Sequence, residues 1–110
     1  MIQATPPHPP AARIHNLVLN VRSFTSLARQ VWGGDAAIVT LEIDTTLIRI
    51  DKARRGPVPR LTREITTLER QGKTALQTLD PGSDAMAQDL VQSLRTNLAL
   101  FRSVLKSLKS

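Results

Sequence analysis

With 110 residues the chain has room for one domain and not two, and an apolar content of 41% is a globular value rather than a disordered one. Cysteine is absent, which excludes disulfides and thiolate zinc sites, and no apolar run approaches the ~18 residues of a membrane span. Fifteen Lys/Arg against nine Asp/Glu leave a formal net charge of +6, which favours an anionic partner: nucleic acid, an acidic lipid surface or an acidic protein. The same excess also serves a small protein by keeping it soluble.

Only Phe24, Trp32 and Phe101 are aromatic, so the core has to be aliphatic, and such a core suits helix-on-helix packing. Residues 1–11 hold Pro6-Pro7-His8-Pro9-Pro10. Proline fixes φ and removes amide donors, so this stretch reads as an extended, flexible tail. A plain disordered terminus is preferred over a docking peptide for an aromatic groove. Met1 to Pro10 has no basic region followed by an apolar stretch, so no secretory signal peptide is read there. The expected location is the cytoplasm, or outside the cell by a route that reads other signals, with peripheral membrane association.

From Ala12 the spacing becomes helical. Ile14, Leu17, Val18, Val21, Phe24, Ala28 and Val31 recur at intervals of three and four, which predicts a helix over 12–32. Trp32-Gly33-Gly34-Asp35 then stops one helix and starts another. Glycine tolerates the left-handed C-cap, and Asp35 is placed to accept from the next helix's free amides.

Residues 36–54 support two readings. Ala36, Val39, Ile43, Leu47 and Ile50 form a helical stripe, widened by Ala37, Leu41 and Ile48. Ala37, Val39, Leu41 and Ile43 also alternate with Ile38, Thr40, Glu42 and Asp44 as a strand would, and the β-branched content favours a strand. No second convincing strand is present to pair with it, and an isolated hairpin is marginal. Helix is therefore preferred, with strand as the alternative.

Gly56-Pro57-Val58-Pro59 is the clearest break, because residues before proline are pushed out of the α region and Pro59 suits a first helical turn. A third helix is predicted over 59–79, with Leu61, Ile65, Leu68, Ala75, Leu76 and Leu79 on its stripe. Gly72 falls on the same stripe; it weakens the helix by about 1 kcal/mol relative to alanine and allows a close helix crossing. Asp80-Pro81-Gly82-Ser83 is a turn, with Ser83 or Asp84 to cap a last helix over 83–109. There Met86, Leu90, Leu94, Leu98, Phe101, Leu105 and Leu108 repeat at three and four, flanked by Val91 and Val104. Lys106 and Lys109 suit its C-terminus.

Four amphipathic segments of roughly 20 residues, joined by short loops, predict an all-α, up-down-up-down four-helix bundle. If the helices alternate in direction, one end collects Arg13, Lys52, Arg54, Arg55, Arg60, Arg63, Arg102, Lys106 and Lys109, opposed only by Asp51 and Glu64. The other end holds Asp35, Asp80, Asp84 and Asp89, with Lys73 and Arg29 nearby. Arginine grips phosphate bidentately, and Arg54-Arg55 beside Arg60 could form such a grip. Near an anionic membrane each cation could contribute roughly 1 kcal/mol, and against nucleic acid the same cluster would bind salt-dependently. The competing explanation is that cations at the C-termini of the second and fourth helices only complement the macrodipole.

Trp32, at a loop tip, is a candidate interface anchor, though an indole folded over the bundle end is the commoner arrangement. His8 and His15 have no partner at catalytic or metal-ligand spacing and read as ordinary surface residues. The chain has no Gly-rich phosphate loop, no metal-type cluster of histidines or carboxylates, and no serine with an identifiable base. No enzyme activity, cofactor or metal is expected.

Trp32-Gly33-Gly34 between two helices resembles the Trp-x-Gly turn of a family of small secreted helical-hairpin proteins. That family makes one hairpin of two long helices, whereas this chain breaks again at Gly56 to Pro59 and at Pro81-Gly82, so the likeness covers three residues. In architecture and basic pole, the expected bundle is similar to the four-helix membrane-localisation domains of bacterial toxins and effectors, which bind anionic lipids through a bundle tip. The expectation is thus a non-enzymatic interaction or targeting module whose basic pole docks on an anionic surface, with membrane phospholipid slightly preferred. The alternatives are a nucleic-acid-associated bundle and a structural or adaptor bundle pairing with another protein chain, including a homodimer.

Overall fold

The computed structural model describes residues 11–109, and there it is helical with no strand. Helix α1 spans Ala11–Trp32, α2 Ala37–Ala53, α3 Val58–Thr78 and α4 Ala85–Lys109, and a 3-10 turn over Gly33–Ala36 links the first two. The helical reading of 36–54 therefore holds, with α2 running from Ala37 to Ala53, and the strand alternative falls. The proline-rich tail lies outside the described residues, except for Ala11, which opens α1.

Each helix packs against two neighbours, α1 on α2 and α4, α3 on α2 and α4, while no Cα atoms of the diagonal pairs approach within 8 Å among the described residues. Cross-helix bonds fix the directions. His15, early in α1, bonds Asp51, late in α2, and Thr25 bonds Asp44. Asn20 of α1 bonds Asn97 of α4 at 3.3 Å. The Trp32 indole at the end of α1 reaches Asp80 just past α3. Neighbours are antiparallel, giving the up-down-up-down bundle.

The core is aliphatic with two aromatic anchors, Phe24 and Phe101, both almost fully buried among Ile14, Ile43, Leu47, Ile50, Leu61, Ile65, Leu68 and Leu94. Burying side chains of this size stabilises by about 1.5–3 kcal/mol each. Three expected stripe residues of α2, Ala37, Leu41 and Ile48, instead face outward, as does Met86 of α4. Steps of four residues overshoot a turn by about 40°, so a run such as Met86-Leu90-Leu94-Leu98 rotates across the helix face. Its first member leaves the core, and Ala87 fills that place.

The turns follow local chemistry. Gly33, at φ +59°, closes α1 in the left-handed region, where a Cβ is disfavoured. Asp35 does not cap α2: the 3-10 turn carries the chain straight on, and the Ala37 amide donates to the Gly34 carbonyl instead. Pro59 sits in the first turn of α3 as expected. Gly82 also has positive φ, at +54°, and its amide donates to the Asp80 carboxylate at 2.9 Å. Of the two cap candidates it is Asp84 that caps α4, accepting from the Ala87 amide at 3.1 Å.

Gly72 sets the α3–α4 separation. A Cβ built there would stand 2.5 and 2.7 Å from the two Leu98 methyls. Gly72→Val should push the helices apart and cost about 2–3 kcal/mol in chemical denaturation. Thr46 is buried on α2 with no hydrogen-bond partner for its hydroxyl. Thr46→Val removes that orphan at constant shape, and should raise the unfolding free energy by about 1 kcal/mol.

Candidate basic pole

The antiparallel arrangement brings the α2–α3 turn to the same end as the start of α1 and the end of α4. The turn and its flanks carry Lys52, Arg54, Arg55, Arg60 and Arg63, with no acid between residues 52 and 63. Lys52, Arg55, Arg60 and Arg63 are exposed. Arg13 joins them from the first turn of α1, since His15 two residues on is tied to Asp51. Lys106 and Lys109 are exposed on the last turn of α4.

Two of the nine expected cations are engaged differently. Arg54 is half-buried and turns back on α2, donating to the Asp51 carbonyl at 2.8 Å and lying 3.0 Å from its carboxylate. It thereby satisfies a free carbonyl at the helix C-terminus, which is a capping role. Arg102 pairs with Glu69 through its Nε at 2.6 Å. Glu69 lies midway along α3, so the Arg102 head belongs to the middle of the bundle. With Lys73 and Arg95 it edges a shallow α3–α4 groove of about 200 Å³, floored by Leu76 and Leu98. Lys73 and Arg95 were outside the expected set; the signal in the sequence is the seven-residue spacing of Arg95 and Arg102, which puts both on one face of α4.

The macrodipole separates five of the remaining seven cations into two groups. Lys52 and Lys106/Lys109 stand at helix C-termini, where a positive charge is favourable. Arg13 and Arg60 stand in the first turns of α1 and α3, where it is unfavourable, and neither first turn contains an acid. Dipole capping accounts for the first group and not for the second.

Trp32 is half-buried against the core, and its indole N–H donates to the Asp80 carbonyl at 2.8 Å. It thus closes the opposite end of the bundle, near the exposed Asp35, Asp80, Asp84 and Asp89. His15, expected as a plain surface residue, is partly buried and joins α1 to α2 through Asp51 at 2.8 Å. The 36 residues between them hid this pair, which exists only because the helices are antiparallel. His8 lies outside the described residues. Among the described residues no cluster of three or more metal-ligating side chains is present, and no helix is long and apolar enough to cross a membrane.

Comparison with protein-family models found no match. Comparisons with curated proteins and with solved structures found none either.

Removing an internal partner at this end and reversing a disfavoured charge there should have opposite effects on stability. Asp51→Ala removes the partner of both His15 and Arg54 and should cost about 1 kcal/mol in urea unfolding. Arg60→Glu exchanges a disfavoured charge for a favoured one at the start of α3, and should stabilise by up to about 1 kcal/mol.

Proposed function

We propose that the chain is a non-enzymatic targeting module whose basic pole docks on an anionic surface, an acidic phospholipid membrane before other anions. The observation that carries this reading is the position of Arg13 and Arg60. Both are exposed, both stand in first turns where the macrodipole opposes them, and neither has an acidic partner among the described residues. Charges held against their local electrostatics are better explained by an external anion than by stability.

Arg55 and Arg63 extend the same surface around the α2–α3 turn, and a cation near an acidic membrane contributes about 1 kcal/mol. Arginine adds a planar fork suited to phosphate oxygens. A membrane is preferred over single-stranded nucleic acid because the pole has no aromatic side chain on which bases could stack. Arg54 contributes less than its sequence neighbours, since its guanidinium is committed to Asp51.

The test is co-sedimentation of the full chain with phosphatidylserine-containing and with neutral phosphatidylcholine vesicles, at low and high salt. Binding should require the anionic lipid and weaken with salt. Arg55→Ala/Arg60→Ala/Arg63→Ala should reduce it about 100-fold, the effect of three contacts of about 1 kcal/mol each, while leaving the circular dichroism unchanged. Absence of binding to anionic vesicles at low salt overturns the proposal. So does binding to duplex DNA without vesicle binding, which would move the assignment to nucleic acid.

A further inference from the structure

Helix α2 is apolar on two sides. Its inner face buries Val39, Ile43, Leu47 and Ile50, whereas Ile38, Leu41 and Ile48 on the outer face are 73%, 66% and 49% exposed. With Thr45 between them, the outer residues alternate at intervals of three and four, the spacing of a helix-packing seam. The patch widens onto α1. Leu19 lies one turn beyond His15, Ile48 lies one turn before Asp51, and the His15–Asp51 bond sets those two turns side by side. Leu19 is itself 47% exposed. Apolar surface repeated at helical spacing marks an interface rather than ordinary scatter.

We infer that this face pairs two copies of the chain, with α2 lying antiparallel to α2 of the partner about a two-fold axis near Thr45. The charges select both the occupant and the direction. Glu42 and Arg49 lie seven residues apart on one flank of the stripe, and neither forms an ion pair among the described residues. A two-fold axis at Thr45 brings Glu42 to within one residue's rise, about 1.5 Å, of Arg49 of the partner subunit, and Arg49 likewise of Glu42 of the partner subunit. The same axis brings Leu41 to within one residue's rise of Ile48 of the partner subunit and the reverse, with the two Thr45 side chains on the axis. Ile38 then meets the aliphatic stem of Lys52 of the partner subunit. A parallel pairing would oppose Glu42 to Glu42 and Arg49 to Arg49, which is repulsive. The pattern is thus self-complementary in the sense an isologous interface requires. Its area rests on one helix and part of another, which puts it at the small end of stable interfaces. The proposal does not depend on the basic pole.

Sedimentation equilibrium of the full chain over micromolar to submillimolar concentrations tests it. The wild type should be a monomer–dimer mixture, and Leu41→Glu/Ile48→Glu should be monomeric with unchanged helicity, since both side chains are exposed. Glu42→Arg and Arg49→Glu, each alone, should weaken the dimer about tenfold by turning two attractions into repulsions. The double exchange Glu42→Arg/Arg49→Glu should restore it. A wild type that stays monomeric throughout, a dimer that survives Leu41→Glu/Ile48→Glu, or single charge reversals that leave the dimer intact or are not rescued by the double exchange would each overturn the inference.

Discussion

Everything in this molecule depends on the burial of one face of α2. Eight of its 17 residues are β-branched, and each loses side-chain freedom in a helix, at up to about 0.7 kcal/mol relative to alanine. That sum, about 5 kcal/mol, would melt an isolated helix of this length. Burial of Val39, Ile43, Leu47 and Ile50 returns about 1.5–3 kcal/mol each, enough to reverse the balance. As a strand, the same segment would leave its backbone unpaired, because no other strand exists among the described residues. Packing between α1 and α3 decides the conformation that propensity alone would not.

Once α2 is a helix, the positions of the charges follow. The 3-10 turn at Gly33–Ala36 and the short Gly56-Pro57 break each reverse the chain, so the ends of alternate helices meet. Asp51 then faces both His15 from α1 and Arg54 from its own last turn. One carboxylate thereby absorbs part of the positive charge that the sequence places at this end. The exposed positive charge at this end includes Arg13, Arg55, Arg60 and Arg63, of which Arg13 and Arg60 stand where the macrodipole disfavours them. Across the molecule, Trp32 and the Asp80–Asp84 turn close the other end with hydrogen bonds and a helix cap.

The two proposed surfaces are chemically distinct and draw on different parts of α2. The pole uses its C-terminal end and needs an anion; the outer stripe runs from Ile38 to Ile48, touches the pole only at Lys52, and needs apolar area with matched charges. Both are consistent with a small bundle whose interior is complete and whose exterior carries the interaction. The polar contacts inside the bundle act on register rather than on bulk stability. The buried Thr25 hydroxyl donates to Asp44 and Asn97 meets Asn20; a shift by one residue would break both cross-helix contacts and leave Thr25 and Asn97 only their intrahelical bonds to the Arg22 and Ser93 carbonyls.

The amino-acid sequence alone specifies the helix count, the breaks at Gly33, at Gly56 to Pro59 and at Pro81-Gly82, and most of the core, because glycine, proline and three-four spacing act within a few residues of chain. Helix ends came within about two residues for the same reason. It also located the cations of the pole, since alternating helix direction follows from short loops. Only the fold decides that Arg102 is spent internally, since its partner Glu69 lies 33 residues away in sequence, and that Asp51, three residues from Arg54, also holds His15, 36 residues away. It likewise decided that Leu41, Ile48 and Met86 face outward. Spacing says that residues share a helix face, but which face is buried is settled by where the neighbouring helices stand.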